Sequence, residues 1–169
     1  NMFSYTNCNL KENNQNNEED NKVTELYSID NENFDTNKLN NVINVSQFNR
    51  NNLRSLFKNA SILKQKIKNQ GKLDLLKGKI VGLYFDEPSS RTYGSFYVAV
   101  KKLGGDVLPL NSNNSSTMKG ESLYDTLKCI ESYCDLVIVR TKEKDSLVDL
   151  QNSIKIPIIN AGDGAGQHP

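Results

Sequence analysis

The chain has 169 residues, 36% hydrophobic and 24% charged, with a formal net charge of +1. That is enough apolar material for one modest core and too even a charge balance for a nucleic-acid-binding face. No apolar run is long enough to span a bilayer, and "NMFSYTNCNL" lacks the charged start and apolar centre of a signal peptide, so a cytoplasmic protein with no membrane partner is expected.

Residues 1–40 come first and differ from the rest. They are asparagine-rich and hold 3 basic against 8 acidic side chains, among them Glu18, Glu19 and Asp20. Such a polar stretch cannot repay the entropy of ordering, so a disordered low-complexity tail or linker is expected there, followed by one folded domain over 41–169. The folded part carries 18 basic against 12 acidic residues, a mild excess that suits small anionic ligands. A helix is predicted from a cap at Ser46, with Phe48, Leu53, Leu56, Phe57, Ile62, Leu63 and Ile67 at helical spacing and Gly71 as its stop.

"KIVGLYF" (79–85) reads as a short strand covered on both faces. A helix around 91–103 follows, ended by Gly104 and Gly105, then a strand "DVLPL" (106–110) and a polar loop (111–120). A helix over 121–133, with Leu123, Leu127 and Ile130 in phase, leads to the strand "DLVIVR" (135–140). "KEKDSLVDLQN" reads as a short helix and "IPIIN" (156–160) as a fourth strand. Strand and helix alternate, which predicts an α/β fold: a parallel sheet of about four strands with helices on both faces. Cys8, Cys129 and Cys134 form no CxxC pair and read as free thiols in a reducing compartment, with Cys129 and Cys134 expected as small buried residues.

In a sheet of this kind ligands collect at the carboxyl ends of the strands, where loops lead into helix N-termini. The most unusual residues of the chain fall there. After the first strand come Ser89, Ser90, Arg91 and Thr92, whose hydroxyls, guanidinium and unpaired backbone N–H groups match phosphate oxygens. The loop after the second strand carries Ser115 and Lys119, the third strand ends in Arg140, and the fourth runs into "NAGDGAGQHP" with His168. Each has a plainer reading taken alone. Ser89 and Ser90 serve as helix caps, Arg91, Arg140 and Lys119 as surface charges, Gly162, Gly164 and Gly166 as a turn, and His168 as a structural histidine. Their placement on one edge of one sheet favours a shared anion site.

"EPSSRTYGSF", "NNSSTMKGESLYDTL", "VIVR" and "INAGDGAGQHP" occur in that order at compatible spacings, and together they resemble the amino-terminal half of the aspartate carbamoyltransferases. "SQFNRNNLRSLFKNA" and "LDLLKGKIVGLYF" fit the same family, so the resemblance runs from Ser46 to Pro169. It implies a carbamoyl-phosphate-binding domain of an enzyme that carbamoylates L-aspartate in pyrimidine synthesis, working without metal or cofactor. By resemblance Ser89, Ser90, Arg91 and Thr92 hold the phosphate, with Ser90 in place of a usual threonine and Glu87 as the acidic residue ahead of the motif. Ser115 and Lys119 match a loop that reaches into a neighbouring subunit's site, which implies a homotrimer. Arg140 matches the arginine after the third strand, and His168 the histidine beside the carbamoyl carbonyl. The catalytic set so implied is Arg91, Thr92, Lys119, Arg140 and His168.

Three departures from the family pattern stand out. Tyr93 follows the phosphate motif where arginine is common, a change expected to bear on domain or subunit pairing. Thr141 replaces the common histidine-proline after Arg140. The Thr-Gln that follows "HP" in the family, and the aspartate-binding domain, lie outside these 169 residues. Both ends of the chain therefore read as cut, and a fragment inactive by itself is expected, from a free-standing enzyme or a multifunctional polypeptide. Two other readings remain open: ornithine carbamoyltransferase, against which "MKGES" and "NAGDGAG" speak, and an inactive anion-binding or subunit-association remnant.

Overall fold

The computed structural model describes residues 40–111 and 121–169. The expected tail, Cys8, Ser115 and Lys119 lie outside the described residues. Four strands, β1 (Ile80–Phe85), β2 (Asp106–Asn111), β3 (Leu136–Thr141) and β4 (Ile158–Asp163), alternate with helices α1 (Arg50–Gln70), α2 (Ser90–Lys102), α3 (Leu123–Ile130) and α4 (Ser146–Leu150).

All pairings are parallel and the strand order is β2-β1-β3-β4. Parallel neighbours require a crossover, and the helices supply it. Side chains alternate across the sheet. Val81, Leu83 and Phe85 of β1 join Leu136, Ile138, Ala161 and Val100 of α2 in one core. Tyr84 joins Val137, Val139, Ile158, Leu127 and Ile130 of α3, and Leu147 of α4 in the other. The sheet is thus covered on both faces, which is why β1 and β3 read as continuous apolar runs. Full burial of a leucine such as Leu83 or Leu127, both at 0% exposure, contributes about 1.5–3 kcal/mol.

The edge of β4 is closed by the segment ahead of α1. Val42 N–H donates to the Ile158 carbonyl at 2.8 Å, and Asn160 N–H donates back to the Val42 carbonyl at 2.7 Å. The helix expected to start at Ser46 starts later. Ser46 lies in a 3-10 turn, Val45–Gln47, closed by a capping box between Asn44 and Gln47, and the cap of α1 is Asn49, whose side chain accepts from Asn52 N–H at 2.8 Å. Phe48 N–H, which a cap at Ser46 would serve, instead donates to the Val45 carbonyl at 3.1 Å and closes the 3-10 turn. Gly71 ends α1 as expected, at φ 77°, but α1 carries no buried residue and belongs to neither core.

Other boundaries shift for local reasons. α4 is shorter than predicted because Asp145 adopts a left-handed conformation, φ 59°, just before it. β4 begins later than predicted and runs on through Ala161, Gly162 and Asp163, past a register irregularity against Val139–Thr141 of β3. Cys134 is buried as expected. Cys129 is exposed instead, its sulfur 3.1 Å from the Tyr133 hydroxyl, because it falls on the outer side of α3.

Candidate active site at the carboxyl edge

The chain leaves β1 for one side, forming β2, then returns to the other, forming β3, so the direction in which strands are added reverses between β1 and β3. Open parallel sheets bind ligands in the crevice outside that reversal. Here it is bounded by the turn after Phe85 and by Arg140, which face each other in register, and Asp86 N–H donates to the Arg140 carbonyl at 2.9 Å.

Ser89 is the N-cap of α2, but its side chain makes no capping hydrogen bond. The hydroxyl is therefore not consumed in the role its position suggests. The first intrahelical bond runs from Tyr93 N–H to the Ser89 carbonyl at 2.9 Å. The N–H groups of Ser90, Arg91 and Thr92 thus stand at the helix mouth without intrahelical acceptors. No acidic residue lies in this first turn, so nothing there opposes the dipole's preference for an anion. Ser90 and Arg91 are exposed, and Ser89 and Thr92 are half-buried.

Arg140 is held from two sides. Its Nη2 donates to Glu87 Oε2 at 2.6 Å, and its Nη1 donates to the Ala161 carbonyl at 3.0 Å. Its Nε is buried and has no hydrogen-bond partner among the described residues. A buried donor left unsatisfied costs about 1–3 kcal/mol, which a ligand oxygen in the crevice would recover. Lys142 lies 3.7 Å from Asp86 across the same loops.

Gly162 makes room for this guanidinium. A side chain at Gly162 would begin 2.5 Å from Arg140 Nη1, and the backbone there has φ 121°, a region glycine alone adopts without strain. His168 Cδ2 lies 3.6 Å from the same point, which brings the histidine beside the arginine over the glycine. The Gly162 N–H is oriented by the buried Asn160 side chain, whose Oδ1 accepts from it at 2.9 Å.

Of the residues singled out in the sequence, Glu87, Arg140 and His168 come together at the reversal point. Ser89, Ser90, Arg91 and Thr92 stand at the mouth of the adjoining helix, and Ser115 and Lys119 lie outside the described residues. Tyr93 packs inward, edge-on to Phe85 at 5.3 Å between ring centroids and stacked on Tyr97 at 6.3 Å. Asn160 and Asp163, each 1% exposed, were not foreseen. Among the described residues no group of three or more His, Cys, Asp or Glu side chains is placed to hold a metal ion, and no helix is long and apolar enough to cross a membrane.

The fold and its polar edge define a parallel α/β domain with an anion-receptive crevice at its reversal point. Residues 40–169 match the model of the family described as aspartate/ornithine carbamoyltransferase, carbamoyl-P binding domain. The chain belongs to that family. It is 45% identical over 128 residues to the multifunctional protein pyr1-3 of Dictyostelium discoideum, covering 76% of this chain and 6% of that protein. It is 38% identical over 129 residues to the aspartate carbamoyltransferase catalytic subunit of Archaeoglobus fulgidus, covering 76% of this chain and 43% of that one. Among solved structures, the aspartate transcarbamoylase of Trypanosoma cruzi in complex with carbamoyl phosphate and aspartate superposes with a TM-score of 0.72 at 38% identity, over 76% of this chain and 43% of that chain. The chain therefore spans less than half the length of these relatives.

Proposed function

We propose that this chain carries the carbamoyl-phosphate half-site of an aspartate carbamoyltransferase, the enzyme that moves the carbamoyl group of carbamoyl phosphate to the amine of L-aspartate in pyrimidine synthesis. The observation that carries the reading is the arrangement at the reversal point: Arg140 between Glu87 and the Ala161 carbonyl, with His168 beside it and an uncapped helix mouth next door.

In this reading the phosphate rests on the N–H groups and hydroxyls of Ser89, Ser90 and Thr92 and on the Arg91 guanidinium. Arg140 turns from Glu87 toward the ligand, and its unpartnered Nε gains an oxygen. The aspartate amine attacks the carbonyl carbon, the carbon–nitrogen bond forms, the bond to the bridging oxygen breaks, and phosphate leaves with the proton that the amine nitrogen gives up. Donors from His168, Arg140 and Thr92 stabilise the charge that builds on the carbonyl oxygen. Holding the amine and carbonyl in line supplies much of the remaining acceleration. No serine acts as a nucleophile, and no cofactor is used.

Ser115 and Lys119 complete the site of a neighbouring copy, so the working assembly is a homotrimer in the cytoplasm. Resemblance to the multifunctional protein supports a place in a larger polypeptide.

Calorimetric titration of the chain with carbamoyl phosphate, beside an Arg91→Ala control, tests the reading. Saturable binding that weakens at least ~10-fold in the control is expected, since charge-assisted hydrogen bonds to phosphate contribute about 1.5–3 kcal/mol. Equal binding by both proteins would overturn the assignment of Arg91. No binding by a folded chain would favour an association remnant.

A further inference from the structure

The turn after β4 is built around a carboxylate that the proposed chemistry does not use. Asp163 is 1% exposed. Its Oδ1 accepts from Gln167 N–H, and its Oδ2 accepts from Asp145 N–H at 3.2 Å. Its backbone is committed to the same turn: Asp163 N–H donates to the Gln167 carbonyl at 3.1 Å, and Gly166 N–H donates to the Asp163 carbonyl at 3.0 Å. Gly164 N–H reaches across to the Thr141 carbonyl at 3.0 Å. Among the described residues no cation pairs with this carboxylate, whose hydrogen-bond partners are backbone amides.

A buried carboxylate without a counter-ion is costly, and cores of this kind do not need one. What the carboxylate does here is geometric. One oxygen fixes the residue just before His168, and the other anchors that turn to the β3–α4 loop, one strand over. The backbone at Gly162, the residue before Asp163, meanwhile provides the gap that Arg140 fills.

We propose that Asp163 is a positioning residue: it brackets the 163–168 turn so that the His168 imidazole is held beside the Arg140 guanidinium, facing the carbamoyl carbonyl. The last clause rests on the proposed function, and the bracketing itself does not. Asp163 touches no reacting atom and acts through the Gln167 and Asp145 amides. In Asp163→Asn one acceptor becomes an NH2 donor opposite an N–H donor, so one of the two anchors is lost while volume is kept.

Because the sequence contains one histidine, the imidazole signals of the whole 169-residue chain need no assignment. The test is NMR on that chain, free and titrated with carbamoyl phosphate and with inorganic phosphate. In the free wild type an NOE between the His168 ring Hδ2 and a Gly162 Hα is expected, since Cδ2 sits 3.6 Å from the side-chain position at Gly162. In D163N that NOE falls at least ~5-fold and the His168 response to carbamoyl phosphate is lost, while inorganic phosphate affinity stays within ~3-fold. A merely structural role would lower thermal stability without separating the histidine response from phosphate binding.

If D163N does not fold, Gly166→Ala probes the same bracket, because a side chain there would collide with the Asp163 carboxylate. It is expected to weaken the same NOE. An unchanged NOE in the folded variant overturns the proposal, as does its absence from the wild type. A wild type that shows the NOE but binds no carbamoyl phosphate sinks the functional reading and leaves the bracket standing.

Discussion

Arg140 has three kinds of nitrogen to place, and the chain places two of them. Glu87 takes Nη2, the Ala161 carbonyl takes Nη1, and Nε is buried without a partner among the described residues. The carboxylate keeps the guanidinium charge neutralised and pre-oriented until an anion competes for it. The guanidinium passes through the space that Gly162 leaves open. Gly162→Ala is therefore expected to expel the guanidinium from its slot and to lower carbamoyl-phosphate affinity at least ~10-fold by calorimetry, the loss of charge-assisted bonds. The same substitution places a side chain at φ 121°, costing roughly 1–3 kcal/mol of stability by urea unfolding. Unchanged affinity in the folded variant would remove Arg140 from the site. This coupling was half legible in the sequence: Arg140 and the glycine turn fall on one edge of the expected sheet, and Glu87 entered only through the family resemblance. That the glycine serves the arginine was not, because the two are distant in the chain and only the fold brings them together. Asp163 left even less trace, since its partners are backbone amides, which carry no residue signature.

At the level of elements, legibility followed the physical signal. β1 and the first four residues of β3 are apolar because both faces are covered, so the positions of the two strands were read to within a residue. β4 was read short because its end, Ala161-Gly162-Asp163, has no bulky apolar side chain, although all three residues are buried. The start of α1 was read too early: Ser46, expected as its cap, lies inside a 3-10 turn capped by Asn44, and the cap of α1 is Asn49. The exposed setting of α1 separates it energetically from the cores. It contributes no fully buried residue, and its apolar stripe of Leu53, Leu56, Ile62, Leu63 and Ile67 is only half-buried, so its ends carry a larger share of its stability than those of a core helix. Asn49→Ala removes the acceptor for Asn52 N–H, a loss of about 1 kcal/mol at an N-cap. Hydrogen exchange in the first turn of α1 should accelerate ~5-fold, with little change in the urea midpoint of the sheet. Equal destabilisation of helix and sheet would show that α1 unfolds with the core.

At the scale of the whole molecule, the two cores share one sheet, and Cys134 marks how closely the layers fit. A side chain added at Gly82 of β1 would lie 3.2 Å from the Cys134 sulfur and 3.3 Å from Ile130, so the thiol closes the gap between sheet and α3. Burial raises the Cys134 pKa above its ordinary value, and the neighbouring Asp135 carboxylate raises it further. The unfolded chain has no such burden and ionises near the usual thiol value of about 8.5. Above that pH the unfolded state releases a proton that the folded state still holds, so stability declines as pH rises from the unfolded toward the folded pKa and is fully present below both. Cys134→Ala removes the titrating group at the cost of a small cavity. The urea midpoint of the wild type is expected to fall more steeply between about pH 8 and 10 than that of Cys134→Ala. Tyrosines and lysines titrate in both proteins, and the difference between the two slopes isolates the thiol. Parallel slopes would mean that the thiolate is accommodated without opening the layer between β1 and α3. The exposed Cys129 gives the complementary reading on the same samples: a thiol reagent at neutral pH should modify it in the folded protein while Cys134 reacts only on unfolding.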